Sequence, residues 1–203
     1  MDHYNDHPDA ASHVDETELA RSQEYALLSA LLWHAPDEAL LACLADLRGD
    51  ASPLGLAHAA IAETASRTSA AQVEREYFNL FIGLGRGELL PYGSYYLTGF
   101  LHERPLARVR EDLVGLGIER TAGQQEPEDH AAILCEIMAR LARSGSPGVP
   151  AAAREFFQRH LSPWIGRFFA DLERAESADF YRPIGALGQT FINIETEAFA
   201  LPS

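Results

Sequence analysis

The chain has 203 residues, 47% of them hydrophobic and 23% charged, with a formal net charge of −14. That is enough apolar material for one full core or two small helical halves, so the composition is that of a globular protein. The acidic excess argues against nucleic acid, whose phosphates need clustered cations, and suits either a basic peptide or plain solubility.

The two cysteines, Cys43 and Cys135, lie in apolar helical patterns without CxxC spacing, which predicts reduced core residues rather than a disulfide framework or a zinc knuckle. The opening stretch MDHYNDHPDAASHVDE lacks a basic n-region and an apolar h-region, and no apolar run approaches the roughly eighteen residues of a membrane span. The expectation is a cytoplasmic chain without stable membrane insertion. Residues 1–14 carry His3, His7 and His13 among small and acidic residues with no apolar period, and are read as a disordered tail.

A helical pattern starts at Asp15, with Asp15 as N-cap and Glu18 as its capping-box partner, and Leu19, Leu27, Leu28, Leu31 and Leu32 as the buried face. Trp33 ends it. Pro36 and Asp37 restart a helix that runs to Leu47, Gly49 and Asp50 break it, and Ser52-Pro53 has the chemistry of another start. Ser69 with Gln72 opens a helix carrying Val73, Tyr77, Leu80 and Phe81, which Gly83 stops. Beyond it comes GLGRGELLPYGSYY, residues 83–96, a long glycine-rich connector near the middle of the chain.

Pro105–Leu116 shows Leu106, Val109, Leu113 and Leu116 on one face, and Gly117 stops it. Pro127 is placed at N1 of a helix reaching Leu141, with Ile133, Leu134, Ile137, Met138 and Leu141 inward. Gly145, Pro147, Gly148 and Pro150 form a connector. Helices then cover about Ala151 to His160, Pro163 (capped by Ser162) to Ala175, and Asp179 to Phe199. No period-two alternation bounded by turn residues occurs, and no repeat of thirty to forty residues is visible. The prediction is all-α: a single irregular bundle of about eight or nine helices over residues 15–203, with a hinge near 120–130 between its halves.

The glycines at 83, 85, 87 and 93 invite a phosphate-loop reading. A P-loop needs a leading strand and G-x-x-x-x-G-K-[ST], because backbone amides wrap the phosphates while the lysine meets them. Here the preceding segment is helical and no lysine follows. A nucleotide hydrolase using this loop, with Asp129 and His130 as acid/base partners, stands as an alternative, as does a purely structural helical adaptor. No nucleophile elbow, zinc helix or EF-hand loop is present, so no catalytic or metal-ligating residue is assigned and no cofactor is expected.

The same stretch is dense in Leu89, Leu90, Pro91, Tyr92, Tyr95 and Tyr96, with Glu88 beside them. Tyrosine couples a large apolar face to one hydroxyl, which suits a groove that grips another chain beside water. Packing on the chain's own core is the competing reading. The second informative segment, Glu126-Pro127-Glu128-Asp129-His130, is either an acid-rich helix start that complements the macrodipole or an anionic notch.

Taken together, YFNLF at 77–81, ELLPYGSYY at 88–96 and EPEDH at 126–130 resemble the TorD/DmsD family of redox-enzyme maturation chaperones, with similarity running from about residue 17 to 200. The P-Y-G-S-x-Y and E-P-x-D-H segments, in this order and spacing, are its most specific parts. Some relatives carry tryptophan where this chain has Tyr92. The resemblance implies an all-helical cytoplasmic chaperone that is not an enzyme. It implies binding to the twin-arginine signal peptide, and often to the core, of a molybdenum-cofactor oxidoreductase before export, until the cofactor is inserted. It places Leu80, Phe81, Pro91, Tyr92, Ser94, Tyr95, Pro127, Asp129 and His130 on the peptide-binding surface. Glu88, Glu126, Glu128 and Asp129 are expected to meet the guanidiniums, and Leu89, Tyr92, Tyr95 and Tyr96 the apolar run. The resemblance further implies a monomer or a domain-swapped homodimer hinged near the EPEDH segment. The client is open, a formate dehydrogenase or a dimethyl-sulfoxide-reductase-like enzyme.

Overall fold

A computed structural model describes residues 9–120, 123, 125–143 and 149–201, with side chains described from Glu16 and, after Arg143, from Ala151. Ten α-helices follow one another among the described residues: α1 Asp9–Trp33, α2 Glu38–Ala45, α3 Pro53–Arg67, α4 Ala70–Tyr77, α5 Gly93–Thr98, α6 Arg104–Gly115, α7 Ala131–Arg143, α8 Val149–Phe156, α9 Ile165–Arg174 and α10 Tyr181–Ala200. Two π-helical turns, Phe78–Ile82 and Phe157–Leu161, extend α4 and α8. The sole β-type pairing described is an isolated antiparallel bridge between Tyr92 and His130.

Local chemistry sets several of the boundaries. Asp37 caps α2 by accepting from the Leu40 amide at 2.8 Å, and Ser52 caps α3 by accepting from the Gly55 amide at 3.0 Å, with Pro53 in the first turn. Gln72 accepts from the Ser69 amide at 3.0 Å and its hydroxyl at 2.8 Å, in the capping arrangement its spacing predicts. Gly83, at φ 62, closes the first π turn.

One contiguous core joins α1, α3, α7, α9 and α10, through Leu28, Leu31 and Leu32, Ile61, Leu134 and Met138, Phe168 and Phe169, and Ile184 and Phe191. The tightest approach is α9 on α10. A Cβ on Gly188 would lie 2.3 Å from the Phe169 ring, and one on Gly185 would lie 2.5 Å from the Glu173 amide nitrogen. Two glycines one turn apart let the helices meet at backbone distance, a device invisible to apolar periodicity.

Several expectations change. Helix α1 is already under way at Asp9, so Asp15 lies within the helix instead of capping it. The predicted 1–14 tail falls partly outside the described residues, as does the 144–148 part of the connector before α8. Leu19 is 52% exposed and is not on the buried face. Cys43 is exposed while Cys135 is fully buried, its thiol pushed up to about 12 by burial. Pro127 is not at N1: α7 begins at Ala131, because residues 127–130 form a turn whose backbone pairs across to the Pro91 segment. The C-terminal part of the 83–96 stretch is not a connector, since Gly93–Thr98 form α5, a helix too short to show a period.

Candidate functional site

The two motif segments, thirty residues apart in sequence, are joined through their backbones. The Gly93 amide donates to the Asp129 carbonyl at 2.9 Å and the Ala131 amide to the Pro91 carbonyl at 2.8 Å, on either side of the Tyr92–His130 bridge. The first turn of α5 starts here, and its N-cap, Tyr92, makes no side-chain cap bond. Asp129 fills that role from the other segment: its Oδ2 accepts from the Ser94 amide at 2.7 Å and also from the Ser94 hydroxyl. A carboxylate on the free amides of a helix start makes charge-assisted bonds and meets the positive end of the helix dipole. Ser94 and Asp129 are both buried, at 0% and 2% exposure, so this pair is a staple inside the protein.

His130 is buried as well, edge-on to the Tyr92 ring with centroids 5.1 Å apart and to the Trp33 ring at 5.9 Å. Its Nδ1 accepts from the Ala132 amide at 3.1 Å. Burial holds its pKa down to about 3, so it is a neutral acceptor at ordinary pH. Asp129 faces Ser94 while His130 faces Ala132 and two aromatic rings, so the two are not arranged as acid/base partners. With its Nδ1 held by the Ala132 amide and Asp129 turned to Ser94, His130 is not placed as the general base of the hydrolase alternative, which the geometry therefore does not support.

Tyr92 is the link from this buried pair to the surface. It is half-buried and donates to Glu126 Oε2 at 2.6 Å; burial first, then that carboxylate, keep its phenol well above the ordinary value, hence protonated and donating. A Cβ on Gly93 would lie 3.2 Å from Trp164 Nε1, so a side chain there requires the indole to shift by a few tenths of an ångström. That indole nitrogen donates to the His160 carbonyl at 2.7 Å, and the Trp164 ring stacks tilted on Tyr96 at 5.4 Å.

The predicted site residues therefore divide. Pro91, Ser94, Asp129 and His130 come together but face inward, and Leu80 is a core residue at 0% exposure. Phe81 is partly buried against Tyr77 and Tyr181, ring centroids 5.0 and 5.5 Å away. Tyr96 and Leu89 pack on the core, and Tyr96 donates to Asp171 at 3.0 Å. Pro127 is half-buried, its carbonyl accepting from the His130 amide at 3.0 Å. Tyr95 is partly exposed, with the Arg86 guanidinium 5.1 Å over its ring and donating to its hydroxyl at 2.6 Å.

The four carboxylates are not all at the surface to greet a cation. Glu88 accepts from the Glu176 amide at 2.6 Å and the Ser177 amide at 3.0 Å, which holds the Gly83–Pro91 segment against the connector between α9 and α10. Desolvation is the largest single influence on its pKa and raises it, but the amide bonds together outweigh it and hold the pKa below the usual value. Glu128 is buried and takes Arg110 at 2.8 Å. Glu126 is half-buried and accepts from Tyr92, and Glu88, though it holds two amides, is exposed.

Sequence reasoning missed three contributors. Glu76 of α4 caps α10 from afar, accepting from the Asp179, Phe180 and Tyr181 amides at 2.9, 3.0 and 2.7 Å. Trp33 backs His130, and Trp164 backs Gly93. None carries a local signature, because each acts on a partner distant in sequence. The segments flanking the staple also carry exposed apolar side chains: Phe78, Ile82 and Leu84 before it, with Leu84 98% exposed, and Leu97, Phe100 and Leu101 after it.

A family model described as nitrate reductase delta subunit matches residues 47–170, more than half the chain and a span that includes both motif segments. The chaperone protein TorD of Vibrio cholerae is 29% identical over 130 residues, 60% of this chain and 59% of that protein. The chain thus spans about three-fifths of that relative. The TorD of Shewanella loihica is 24% identical over 210 residues, covering 91% of this chain and 96% of the relative. DmsD of Haemophilus influenzae, described as a Tat proofreading chaperone, is 29% identical over 117 residues, 57% of this chain and 56% of its own. Among solved structures, a redox enzyme maturation protein from Archaeoglobus fulgidus has the same fold, with a TM-score of 0.56 at 19% identity over 94% of this chain and 97% of that one.

Proposed function

Because this chain belongs to the TorD/DmsD family, whose matching model is described as nitrate reductase delta subunit, we propose that it is a maturation chaperone for a molybdenum-cofactor oxidoreductase. It binds the client's twin-arginine signal peptide in the cytoplasm and delays export until the cofactor is inserted. It acts by binding, not by catalysis. The observation that carries this reading is the family match across residues 47–170, which takes in both the PYGS and the EPEDH segments.

The physical arrangement supports it in a modified form. Ser94, Asp129 and His130 act as the staple that presents Tyr92 and Glu126 at the surface, instead of touching the guest themselves. A carboxylate accepts up to about four hydrogen bonds, so Glu126 can receive a guanidinium beside the Tyr92 hydroxyl. The exposed Phe78, Ile82 and Leu84 offer the apolar run a place to leave water.

Calorimetric titration with a twin-arginine peptide and its Lys-Lys variant tests the reading. The arginine peptide binds, more weakly as salt rises, and the lysine variant binds less well because an ammonium cannot engage a carboxylate in a fork. Absence of heat with both peptides at low salt refutes it.

A further inference from the structure

On the far side of Trp33 from His130, an open groove of about 650 Å³ runs between α1 and α7. Its two walls have the same spacing. Ala26, Ser29, Ala30 and Trp33 stand at i, i+3, i+4 and i+7 on α1, and Glu136, Ala139, Arg140 and Arg143 stand at i, i+3, i+4 and i+7 on α7. Ser22 donates to the Ala139 carbonyl and Ser29 to the Ala132 carbonyl, so α1 and α7 run antiparallel and the stripes lie largely end to end, with Trp33 and Arg143 at opposite ends of a seat along which a third helix can lay its ridge. Three of the four α1 positions are Ala or Ser, which lets a guest backbone come close, and the partly exposed Trp33 closes one end as an aromatic anchor.

The charge at the rim selects the guest. Arg140 is exposed and paired only along its own helix, with Glu136, while Arg143 is exposed and has no hydrogen bond or ion pair to any described residue. Glu136 offsets one of the two guanidiniums, so the groove wall carries one net positive charge, that of Arg143, on a chain of net charge −14, a local reversal of sign. That reversal repels a twin-arginine segment and favours carboxylates.

We infer that the α1–α7 groove is a second client-binding surface, one that takes an acidic amphipathic helix, with its apolar face on Ala26, Ala30 and Trp33 and its carboxylates on Arg140 and Arg143. The identity of the guest as a client segment rests on the chaperone reading; the helix-binding property of the groove does not. Trp33 also touches His130, so the groove and the stapled motif cluster share a wall.

The 203-residue chain has two tryptophans, Trp33 in the groove and Trp164 in the core at 1% exposure, so fluorescence reports on the groove directly. The probe is an 18-residue synthetic helix with Leu and Ala on one face and Glu along its edge; the control is the same helix with Lys in place of Glu. The Glu helix shifts the Trp33 emission to the blue, and Trp33→Phe removes the shift. Arg143→Glu weakens binding by about fivefold to tenfold, and the thermal midpoint of that variant checks that it is folded. Twin-arginine peptide binding, titrated in parallel, is unchanged in Arg143→Glu.

Equal binding of the Lys helix, or an Arg143→Glu variant that binds the Glu helix as the wild type does, overturns the inference. So does a concentration-dependent blue shift without any probe, accompanied by dimerisation in sedimentation, which makes a second copy the occupant. A groove that binds the Glu helix while no twin-arginine peptide binds keeps this inference and removes the signal-peptide function.

Discussion

Replacing Asp129 by alanine separates a staple from a ligand. In the folded protein its Oδ2 accepts from both the amide and the hydroxyl of Ser94, and both residues are sealed from solvent. The substitution strands two buried donors, each worth about 1–3 kcal/mol. The hydroxyl can rotate toward another acceptor while the amide cannot, so the net loss is about 2–4 kcal/mol. For a chain of this length each kcal/mol moves the thermal midpoint by about 2–4 °C, which gives a fall of roughly 5–15 °C. Asp129→Asn keeps one oxygen for the Ser94 amide and loses the charge, so it costs about 1 kcal/mol. Ser94→Ala removes one of the two bonds at a similar cost. The double variant Asp129→Ala/Ser94→Ala then loses less than the sum, with a coupling of about 1 kcal/mol. Thermal and urea unfolding of the wild type and the four variants, with peptide titration of each, measures all of this. A midpoint within about 1 °C of wild type in Asp129→Ala, together with lost peptide binding, refutes the reasoning and makes Asp129 a direct contact.

Three further outcomes follow from the same geometry. His130 has a folded pKa of about 3 against an ordinary 6.5, so the unfolded chain takes up its proton first. Its contribution to stability is complete above pH 6.5 and drains away as the pH falls toward 3, by on the order of 4 kcal/mol. Urea midpoints measured from pH 7 to pH 4 therefore fall more steeply in the wild type than in His130→Asn, and equal slopes count against the neutral buried imidazole. Glu76→Gln weakens the cap on α10, where three amides converge on one carboxylate, and lowers stability by about 1–2 kcal/mol in chemical denaturation. Gly93→Ala pushes a methyl to 3.2 Å from Trp164 Nε1 and costs about 1–2 kcal/mol. It also shifts the near-ultraviolet circular dichroism of the Trp164–Tyr96 stack, and an unaltered spectrum contradicts the contact.

The helical class of this protein, most of its helix positions and several of its helix starts are properties of the local sequence. Asp37, Ser52 and Ser69 cap the helices they introduce, and the inward face of α6, Leu106, Val109 and Leu113, follows a 3.6 period, because capping and burial of one stripe act within a few residues. The association of PYGS with EPEDH was also legible, as two segments that resemble a family only when taken together. What those segments do to each other was not. Only the tertiary structure decided that Asp129 caps α5 across the chain, that Glu76 and Glu88 hold the α9–α10 connector, and that Pro127 sits in a turn instead of opening a helix. The same holds for Cys43 and Leu19, which share a helical pattern with buried neighbours yet lie on the solvent side. A carboxylate reads identically in sequence whether it meets water, a guest's guanidinium or a distant amide. The partner is chosen by how ten helices close on one core, where a buried amide without an acceptor costs more than the sequence pattern of any single helix can outweigh.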